Sequence, residues 1–371
     1  MKSIFTAAAA AAIALAAAAR EQTTLWKDGD DGVAKYRIPA LCTATNGDLV
    51  AVCDARRDNI GDLNAFQPIW IVCRRSSDGG ATWTRSVPTW KWPWNDSEKW
   101  SGSDPSFIVD ASTGKIFLFY NVWKWEDVKC WDNNVYRFFV QESSDCGATW
   151  SEPREISRDI SFAGRGWNFG GPRSAGGMIF ITSGSGMQLR DGTLMHTIVR
   201  VGYAGRPGEV ALFGSPDHGA TWRAYGNPAV CGDECKFMEL ADGTWMINSR
   251  WRSGGREIHR SRDGGATWTS AFDTGLVDPQ CNGQIIRYPL PGGGSVLLFS
   301  NCKSPNRRHN LHVRTSRDEG ATWSEGVAVE RAGAAYSDMS VLKDGRLGVI
   351  FEGAGYSTIR FCTLKPEEFL R

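Results

Sequence analysis

An eight-residue unit that occurs five times constrains the fold of this chain more than any other feature. Each copy reads Ser-x-Asp-x-Gly-Ala-Thr-Trp, and the copies occupy residues 76–83, 143–150, 215–222, 261–268 and 316–323. Successive copies begin 67, 72, 46 and 55 residues apart, which is enough chain for one small antiparallel sheet and its loops. Because recurrence of this kind is typical of architectures built from similar units, the sequence predicts a series of small sheets.

The residue types of this unit suit a tight turn between two strands. Its Asp can accept backbone N–H groups inside the turn, its Gly can take a positive φ, and its Trp can pack between neighbouring sheets. The unit resembles the Asp box of β-propeller proteins. Short apolar runs such as KIFLFYNVW, from Lys115, and SVLLFSN, from Ser295, lie between the copies and are typical of strands.

Five Asp boxes in one chain predict an all-β fold, namely a six-bladed β-propeller of four-stranded antiparallel sheets in which one blade lacks a box. The 42 Gly and 17 Trp residues favour the same class, because Gly weakens helix interiors and Trp suits pleated surfaces. Residues 20–371 are expected to form this one domain.

The first nineteen residues are typical of a signal peptide. Lys2 precedes an alanine-rich apolar run that ends in small residues. The run is too short and too rich in Ala to make a convincing membrane span, and no later segment competes with it. The sequence therefore predicts a cleavable leader over residues 1–19 and a secreted or periplasmic protein without a membrane span.

The net charge bears on which ligands the protein could bind, and the cysteines and histidines bear on disulfides and metal sites. The formal net charge is +1, from 42 basic and 41 acidic residues, so there is no general electrostatic reason to bind nucleic acid or an anionic membrane. An anionic ligand would have to be met by a local cluster. The ten cysteines could form disulfides in an exported chain or remain buried thiols, and the histidines show no metal-ligand spacing.

The boxes are structural by default, so the activity must come from residues outside them. Arginines, carboxylates and one tyrosine occur in segments scattered along the chain, and strand ends of different blades converge on the axis of a propeller. These segments are YRIPAL from Tyr36, ARRDNIGDL from Ala55, SDPSF from Ser103, DECKFMELADGTWMINSR from Asp233, NRRHNL from Asn306, AAYSDM from Ala334 and LGVIFE ending at Glu352.

In this order the segments resemble those of bacterial-type exo-α-sialidases (neuraminidases), which are six-bladed propellers with Asp boxes. The resemblance covers nearly the whole chain after the leader. It implies hydrolysis of terminal α-linked sialic acid from glycoproteins, glycolipids or oligosaccharides, with retention and through a tyrosyl-enzyme intermediate. The catalytic scheme that it implies requires no metal or other cofactor, and a structural calcium stays open.

The resemblance assigns an arginine triad to the carboxylate of the sugar. Its members are Arg37, Arg250 and Arg308, with Arg307 as the rival of the third. Guanidinium groups form paired, charge-assisted bonds to a planar carboxylate, and three of them would explain an anion site in a nearly neutral protein. Glu352 resembles the carboxylate that holds Arg37 in place.

Tyr336 resembles the nucleophile of the family. A phenol with an ordinary pKa of about 10 is a weak nucleophile, so it needs a base, and Glu234 matches that position, with Glu239 as its rival. A neutral phenol can approach an anionic sugar more easily than a carboxylate can, and sialidases are an exception to the two-carboxylate scheme of glycosidases.

Asp62 resembles the general acid and base, which protonates the leaving oxygen and then activates water. Its rival in the same loop is Asp58. Arg56 is expected to contact the 4-hydroxyl of the sugar, and Asp104 the 4-hydroxyl or the acylamino region.

Other outcomes stay open at this point. A tyrosine-linked intermediate also permits transfer of the sialyl group to another sugar or cyclisation to an anhydro product. A propeller that binds sialic acid without cleaving it would need the arginines but not Tyr336, Glu234 and Asp62. The tryptophans of segments 89–100 and 121–131 either form an aromatic wall for the acyl group or aglycone or pack between blades.

Overall fold

A computed structural model describes residues 20–125, 136–161, 167, 178–202, 205 and 207–371. The predicted signal peptide, residues 1–19, lies outside these ranges. The described part of the chain forms six sheets arranged as the blades of a β-propeller, so the predicted fold class is confirmed. No helix within these ranges is long and apolar enough to cross a membrane.

Three of the blades are four-stranded antiparallel meanders. Blade 1 contains β2 (Lys35–Thr43), β3 (Leu49–Arg56), β4 (Ile69–Ser76) and β5 (Val87–Pro88). Blade 4 contains β16 (Cys235–Glu239), β17 (Trp245–Ser249), β18 (Arg256–Ser261) and β19 (Thr269–Asp273). Blade 5 contains β20 (Gln284–Pro289), β21 (Ser295–Cys302), β22 (His309–Ser316) and β23 (Val327–Gly333).

Two blades carry one additional short strand. Blade 2 contains β6 (Trp100–Val109), β7 (Ile116–Lys124), β8 (Tyr136–Ser143), β9 (Arg154–Glu155) and β11 (Gly184–Ser185). Blade 3 contains β10 (Ile179–Ile181), β12 (Met187–Gln188), β13 (Leu194–Arg200), β14 (Glu209–Ser215) and β15 (Arg223–Val230). The strand β11 pairs parallel to β6, whereas β12 pairs antiparallel to β13.

Blade 6 joins the two ends of the described chain. It contains β24 (Ser337–Val341), β25 (Leu347–Glu352), β26 (Thr358–Leu364) and β1 (Thr23–Lys27). Because β1 pairs with β26, the first strand completes the last blade and closes the ring. Short helical turns over Asp30–Gly32 and Ala354–Tyr356 and the helix α1 (Pro366–Phe369) complete the structure.

The five Asp boxes lie between the third and the outer strands of blades 1 to 5. In the first box the Ser76 hydroxyl donates to the Asp78 carboxylate at 2.7 Å. The same carboxylate accepts the Thr82 N–H at 2.9 Å and the Thr82 hydroxyl at 2.6 Å. Equivalent bonds recur in the other four boxes, so each box is a closed turn.

The glycine of the box is required because each turn packs on the preceding blade. A Cβ atom on Gly80 would lie 2.2 Å from the ring of Phe361 in blade 6. A Cβ atom on Gly219 would lie 2.2 Å from the ring of Phe117 in blade 2. Both glycines also have a positive φ, of 93° and 85°, which L side chains rarely adopt. The boxes therefore join blades as well as strands.

The structure distinguishes between disulfides and buried thiols for the cysteines that it describes. Among the residues described, nine cysteines are free thiols, and all except Cys146 and Cys231 are buried. Burial raises the pKa of Cys73 and of Cys362 to about 12, so these two remain protonated. Cys130 lies outside the described ranges.

Replacing the tryptophan of the third box should cost much of the stability. Trp222 is 3% exposed and its ring lies 5.5 Å from Phe117 and 4.9 Å from Phe119. We expect Trp222→Ala to lower the free energy of unfolding by about 3–5 kcal/mol, measured by urea denaturation. Trp323 is only half-buried and lies 5.8 Å from Phe299, so Trp323→Ala is the matched control and should cost less. Equal losses in the two variants would contradict the expectation that the deep burial of Trp222 sets the cost.

Acid should weaken the boxes. Hydrogen bonds from the threonine hydroxyl, the threonine N–H and the serine hydroxyl lower the pKa of Asp78 and of Asp263 to about 2. Because these values lie below the ordinary value of about 3.9, the stabilisation is complete above about pH 4 and is lost as the pH falls towards 2. The urea midpoint should fall over this range, and Asp78→Asn should show a weaker pH dependence. An unchanged pH dependence in the variant would refute this.

Candidate active site

All nine residues predicted for the site lie at the ends of strands, at strand bulges or in loops next to them. They are Arg37 on β2, Arg56 at the end of β3, Asp62 in the loop after it, Asp104 on β6, Glu234 before β16, Arg250 after β17, Arg308 before β22, Tyr336 before β24 and Glu352 at the end of β25. The structure brings them into two groups, one around Tyr336 and one around Arg56.

A buried ion pair joins blades 1 and 6 at the centre of the first group. Arg37 Nε donates to Glu352 Oε1 at 2.6 Å, and its NH2 group donates to Oε2 at 3.3 Å. The Glu352 carboxylate also accepts the backbone N–H of Ile38 at 3.0 Å and of Tyr336 at 3.1 Å. Glu352 is 0% exposed and Arg37 is 8% exposed. One carboxylate therefore fixes both the first arginine and the backbone of the tyrosine.

The backbone is strained at the predicted residue Asp104 and at the residue that follows Arg37. The pairing of β2 with β3 shifts register between Arg37 and Ala40, and Ile38 has a φ of 57°. The pairing of β6 with β7 shifts between Ser103 and Ser106, and Asp104 has a φ of 59°. A positive φ is uncommon for residues other than glycine, and bulges of this kind redirect side chains. The same distortion thus occurs at a site residue or next to one in two blades.

Tyr336 contacts both a carboxylate and a guanidinium. Its hydroxyl donates to Glu234 Oε2 at 2.5 Å and accepts from Arg250 NH1 at 2.7 Å. Arg250 NH1 also pairs with Glu234 Oε2. Burial raises the pKa of Tyr336 well above 10; the charge of Arg250 opposes this rise and that of Glu234 adds to it. The phenol is therefore neutral, with a proton acceptor in direct contact.

Arg308, not Arg307, joins this group. Its guanidinium lies over the ring of Tyr336 at 5.3 Å and donates to the Tyr356 hydroxyl at 3.3 Å and to the Gln280 carbonyl at 3.2 Å. Arg307 is exposed. Sequence reasoning missed Tyr356, whose ring also lies 4.3 Å from the Arg37 guanidinium, because a tyrosine in a glycine-rich turn carries no signal of its own.

The second group is built on a carboxylate that sequence reasoning also missed. Asp54 is 0% exposed and accepts Arg56 Nε at 3.2 Å and Arg56 NH2 at 2.9 Å. On its other side, Arg56 NH1 pairs with Asp62 Oδ1 at 2.6 Å, and the side chain of Asp62 is 70% exposed. Asp54 stands two residues before Arg56 on one strand, so both face the same side; this alternation was a usable signal.

Asp104 joins the second group through Asp54. Its backbone N–H donates to Asp54 Oδ1 at 3.1 Å, and its carboxylate accepts Asn121 Nδ2 at 3.3 Å. Burial raises the pKa of Asp104 well above its ordinary value, and the charges of Asp54, Glu234 and Asp62 add to this. Burial also raises the pKa of Asp54 to about 6, although Arg56 opposes the rise. The carboxyl groups of Asp54 and Asp104 therefore retain a proton at higher pH than isolated carboxyl groups would.

The rival carboxylates do not join either group. Glu239 forms an ion pair with Arg190 at 3.2 Å and also accepts the backbone N–H of Arg190 at 2.9 Å. Asp58 is exposed, and its backbone N–H donates to the side chain of Gln67 at 3.1 Å.

The tryptophans of residues 89–100 pack against neighbouring parts of the fold. The ring of Trp92, in the connection from β5 to β6, stacks on Trp100 at 5.5 Å and packs on Phe139 at 5.0 Å, which is packing between blades 1 and 2. The ring of Trp94 lies 5.1 Å from Phe66 in the loop of Asp62. Residues 126–131 of the second segment lie outside the described ranges.

Six blades around a cluster of arginines, carboxylates and two tyrosines define a propeller with a densely charged centre. The model of the BNR repeat-like domain family matches residues 101–349. This match covers more than half of the 371 residues, and the chain belongs to that family.

Known relatives and solved structures confirm the resemblance to bacterial-type sialidases. The chain is 37% identical over 354 residues to a sialidase of Micromonospora viridifaciens, covering 90% of this chain and 52% of the relative. It is 26% identical over 348 residues to a sialidase of Bacteroides fragilis, covering 88% and 61%. The Hadza microbial sialidase Hz136 superposes with a TM-score of 0.83 at 27% identity, covering 94% and 69%. The chain thus spans about half to three fifths of these two curated relatives.

Removing the charge of Glu352 should destabilise the protein because Arg37 would remain buried without its partner. We expect Glu352→Gln to lower the free energy of unfolding by about 3 kcal/mol, measured by chemical denaturation. Adding Arg37→Met should recover most of this loss, since the unpaired charge is then absent. If the double variant loses as much free energy of unfolding as Glu352→Gln and Arg37→Met lose together, the broken ion pair is not the source of the loss.

Proposed function

We propose that the protein is an exo-α-sialidase that hydrolyses terminal α-linked sialic acid from glycoproteins, glycolipids or oligosaccharides. The observation that carries the proposal is the contact of the Tyr336 hydroxyl with Glu234 at 2.5 Å, beside three arginines. A protein that only binds an anionic sugar has no use for a buried phenol in contact with a base. The similarity to sialidases in two bacterial species supports the same activity.

The sugar carboxylate is assigned to Arg37, Arg250 and Arg308. All three guanidinium groups surround Tyr336: Arg37 lies 5.6 Å and Arg308 5.3 Å from its ring, and Arg250 contacts its hydroxyl at 2.7 Å. Guanidinium groups bind planar carboxylates through paired bonds. A carboxylate held by this triad would bring the adjacent anomeric carbon close to the phenol.

Tyr336 is assigned as the nucleophile and Glu234 as its base. Because burial keeps the phenol protonated, its proton has to leave as the oxygen attacks the anomeric carbon, and Glu234 is in position to accept it. The neighbouring NH1 group of Arg250 would stabilise the negative charge that develops on the oxygen. The product of this step is a tyrosyl-linked sugar.

Asp62 is assigned as the general acid and base. Its exposed carboxylate would protonate the leaving oxygen in the first step and remove a proton from water in the second. Two displacements at the same carbon give retention of configuration. Arg56 and Asp104 are assigned to the 4-hydroxyl and acylamino side of the sugar, and Glu352 supports Arg37. No step of this scheme requires a cofactor.

Export is part of the proposal. A signal peptide over residues 1–19 would deliver the propeller of residues 20–371 to the periplasm or the exterior, where sialylated glycoconjugates are available.

Tyr336→Phe should abolish turnover while preserving the fold. Removing the hydroxyl removes the nucleophile, so we expect kcat to fall by at least about 1,000-fold, measured by release of a fluorogenic aglycone from an α-sialoside. Tyr225→Phe, which changes a half-buried tyrosine on β15 of blade 3, is the matched control and should keep full activity.

The chemical identity of the released sugar distinguishes hydrolysis from cyclisation and from transfer. NMR of the released sugar distinguishes free sialic acid from an anhydro product, and an added acceptor sugar tests transfer. A folded parent protein that binds the sialoside without cleaving it would refute the enzyme assignment and favour a binding propeller.

A further inference from the structure

The loop between β3 and β4, residues 57–68, carries Asp62 and is largely exposed. Asp58, Asn59 and Ile60 are exposed, as is the side chain of Asp62 at 70%. A carboxylate on such a loop needs an anchor if it is to hold one geometry, because proton transfer requires the acid within hydrogen-bond reach of the leaving oxygen. Arg56 pairs with the Asp62 carboxylate and also donates to the Ile60 carbonyl at 2.6 Å, which holds one point of the loop backbone and leaves residues 58, 59 and 61 to another anchor.

Gln67 supplies an anchor from inside the loop. Its side-chain oxygen accepts the backbone N–H of Asp58 at 3.1 Å and of Asn59 at 3.0 Å. Its side-chain nitrogen donates to Asn59 Oδ1 at 3.0 Å and to the Gly61 carbonyl at 2.7 Å. Gln67 is 0% exposed. All four bonds of this buried amide go to the segment that immediately precedes Asp62.

The anchor is itself fixed to the neighbouring blade. The Ser101 hydroxyl of β6 donates to the Gln67 carbonyl at 2.6 Å. Within the loop, Asn59 Oδ1 also accepts the Gly61 N–H at 2.7 Å, and the Asp62 carbonyl accepts the Ala65 N–H at 2.8 Å. The chain immediately before Asp62 is therefore bonded to the side-chain amide of Gln67, whose own backbone is bonded to blade 2.

We propose that Gln67 is a positioning residue for Asp62, which holds the acid loop in the geometry needed to protonate the leaving group. The inference rests on the proposed function of Asp62 as general acid. Gln67 does not touch the substrate in this scheme. It acts through the backbone of residues 58–61.

The dependence of rate on the leaving group separates positioning from general stabilisation. A sugar alkoxide is a poor leaving group and needs a proton from the acid, whereas an acidic phenol departs with little help. A displaced Asp62 should therefore slow cleavage of a sialylated sugar and spare an aryl sialoside. A loss of folded protein would slow both substrates by the same factor.

The test compares kcat/KM for sialyl-lactose and for an aryl α-sialoside, since kcat/KM reports the steps up to departure of the leaving group. We expect Gln67→Met, which keeps the length of the side chain but none of its hydrogen bonds, to lower kcat/KM for sialyl-lactose about 10–100-fold, which is part of the full effect of a general acid. The loss for the aryl sialoside should stay under about 3-fold. Asp62→Ala should show the same selectivity more strongly.

Gln141→Met is the matched control. Gln141 is also 0% exposed and makes three hydrogen bonds, but they go to Tyr120, Thr89 and Ser151. This variant should lose stability without changing the ratio of the two activities.

Equal losses on both substrates in Gln67→Met, or no loss on either, would overturn the inference while leaving the sialidase assignment intact. Failure of the parent protein to cleave either substrate would instead refute the proposed function. If Gln67→Met does not fold, Gln67→Glu keeps acceptors for Asp58 and Asn59 and removes only the donor side. An unchanged ratio of the two activities in Gln67→Glu would then overturn the inference.

Discussion

The carboxylate of Glu352 is the contact on which the centre of this molecule depends. It lies in blade 6, yet it holds Arg37 of blade 1 and the backbone of Tyr336 at once. A buried carboxylate is costly unless each of its lone pairs finds a donor, and here a guanidinium and two backbone N–H groups meet that requirement. The first and last blades are therefore coupled at the site by the ion pair and at the outer edge by the pairing of β1 with β26.

The site gathers paired charges of both signs in a protein with almost no net charge. Arg250 pairs with Glu234, Arg37 with Glu352 and Arg56 with Asp54 and Asp62. Pairing lets these guanidinium groups remain buried; Arg56 is 0% exposed, whereas Arg37 and Arg250 keep part of their side-chain surface accessible. A neutral phenol at the middle of the set adds no repulsion towards an anionic ligand. These are general features of charge burial, and they favour a tyrosine at this position over a carboxylate.

Much of the fold and most of the site could be predicted from the sequence, whereas Gln67 and Tyr356 could not. The boxes are recognisable because a closed turn needs Ser, Asp, Gly and Thr at fixed spacing, and the arginines, Tyr336 and Glu352 stand in recognisable segments. The spacing of Asp54 and Arg56 on one strand was a usable signal, but Gln67 and Tyr356 act through loop geometry or through contacts between segments far apart in the chain. The sequence around Gln67 does not distinguish a buried amide with four hydrogen bonds from a surface glutamine.

Closure of the ring by the first strand also dictates an order of events during synthesis. The strand β1 is synthesised long before its partner β26, and chains fold as they emerge. Arg37 must likewise await Tyr336 and Glu352, which lie 299 and 315 residues further on (336 − 37 and 352 − 37). An unfinished chain can fold single blades but cannot assemble the site. Any catalytic competence would therefore appear only after the strands of blade 6 have been synthesised.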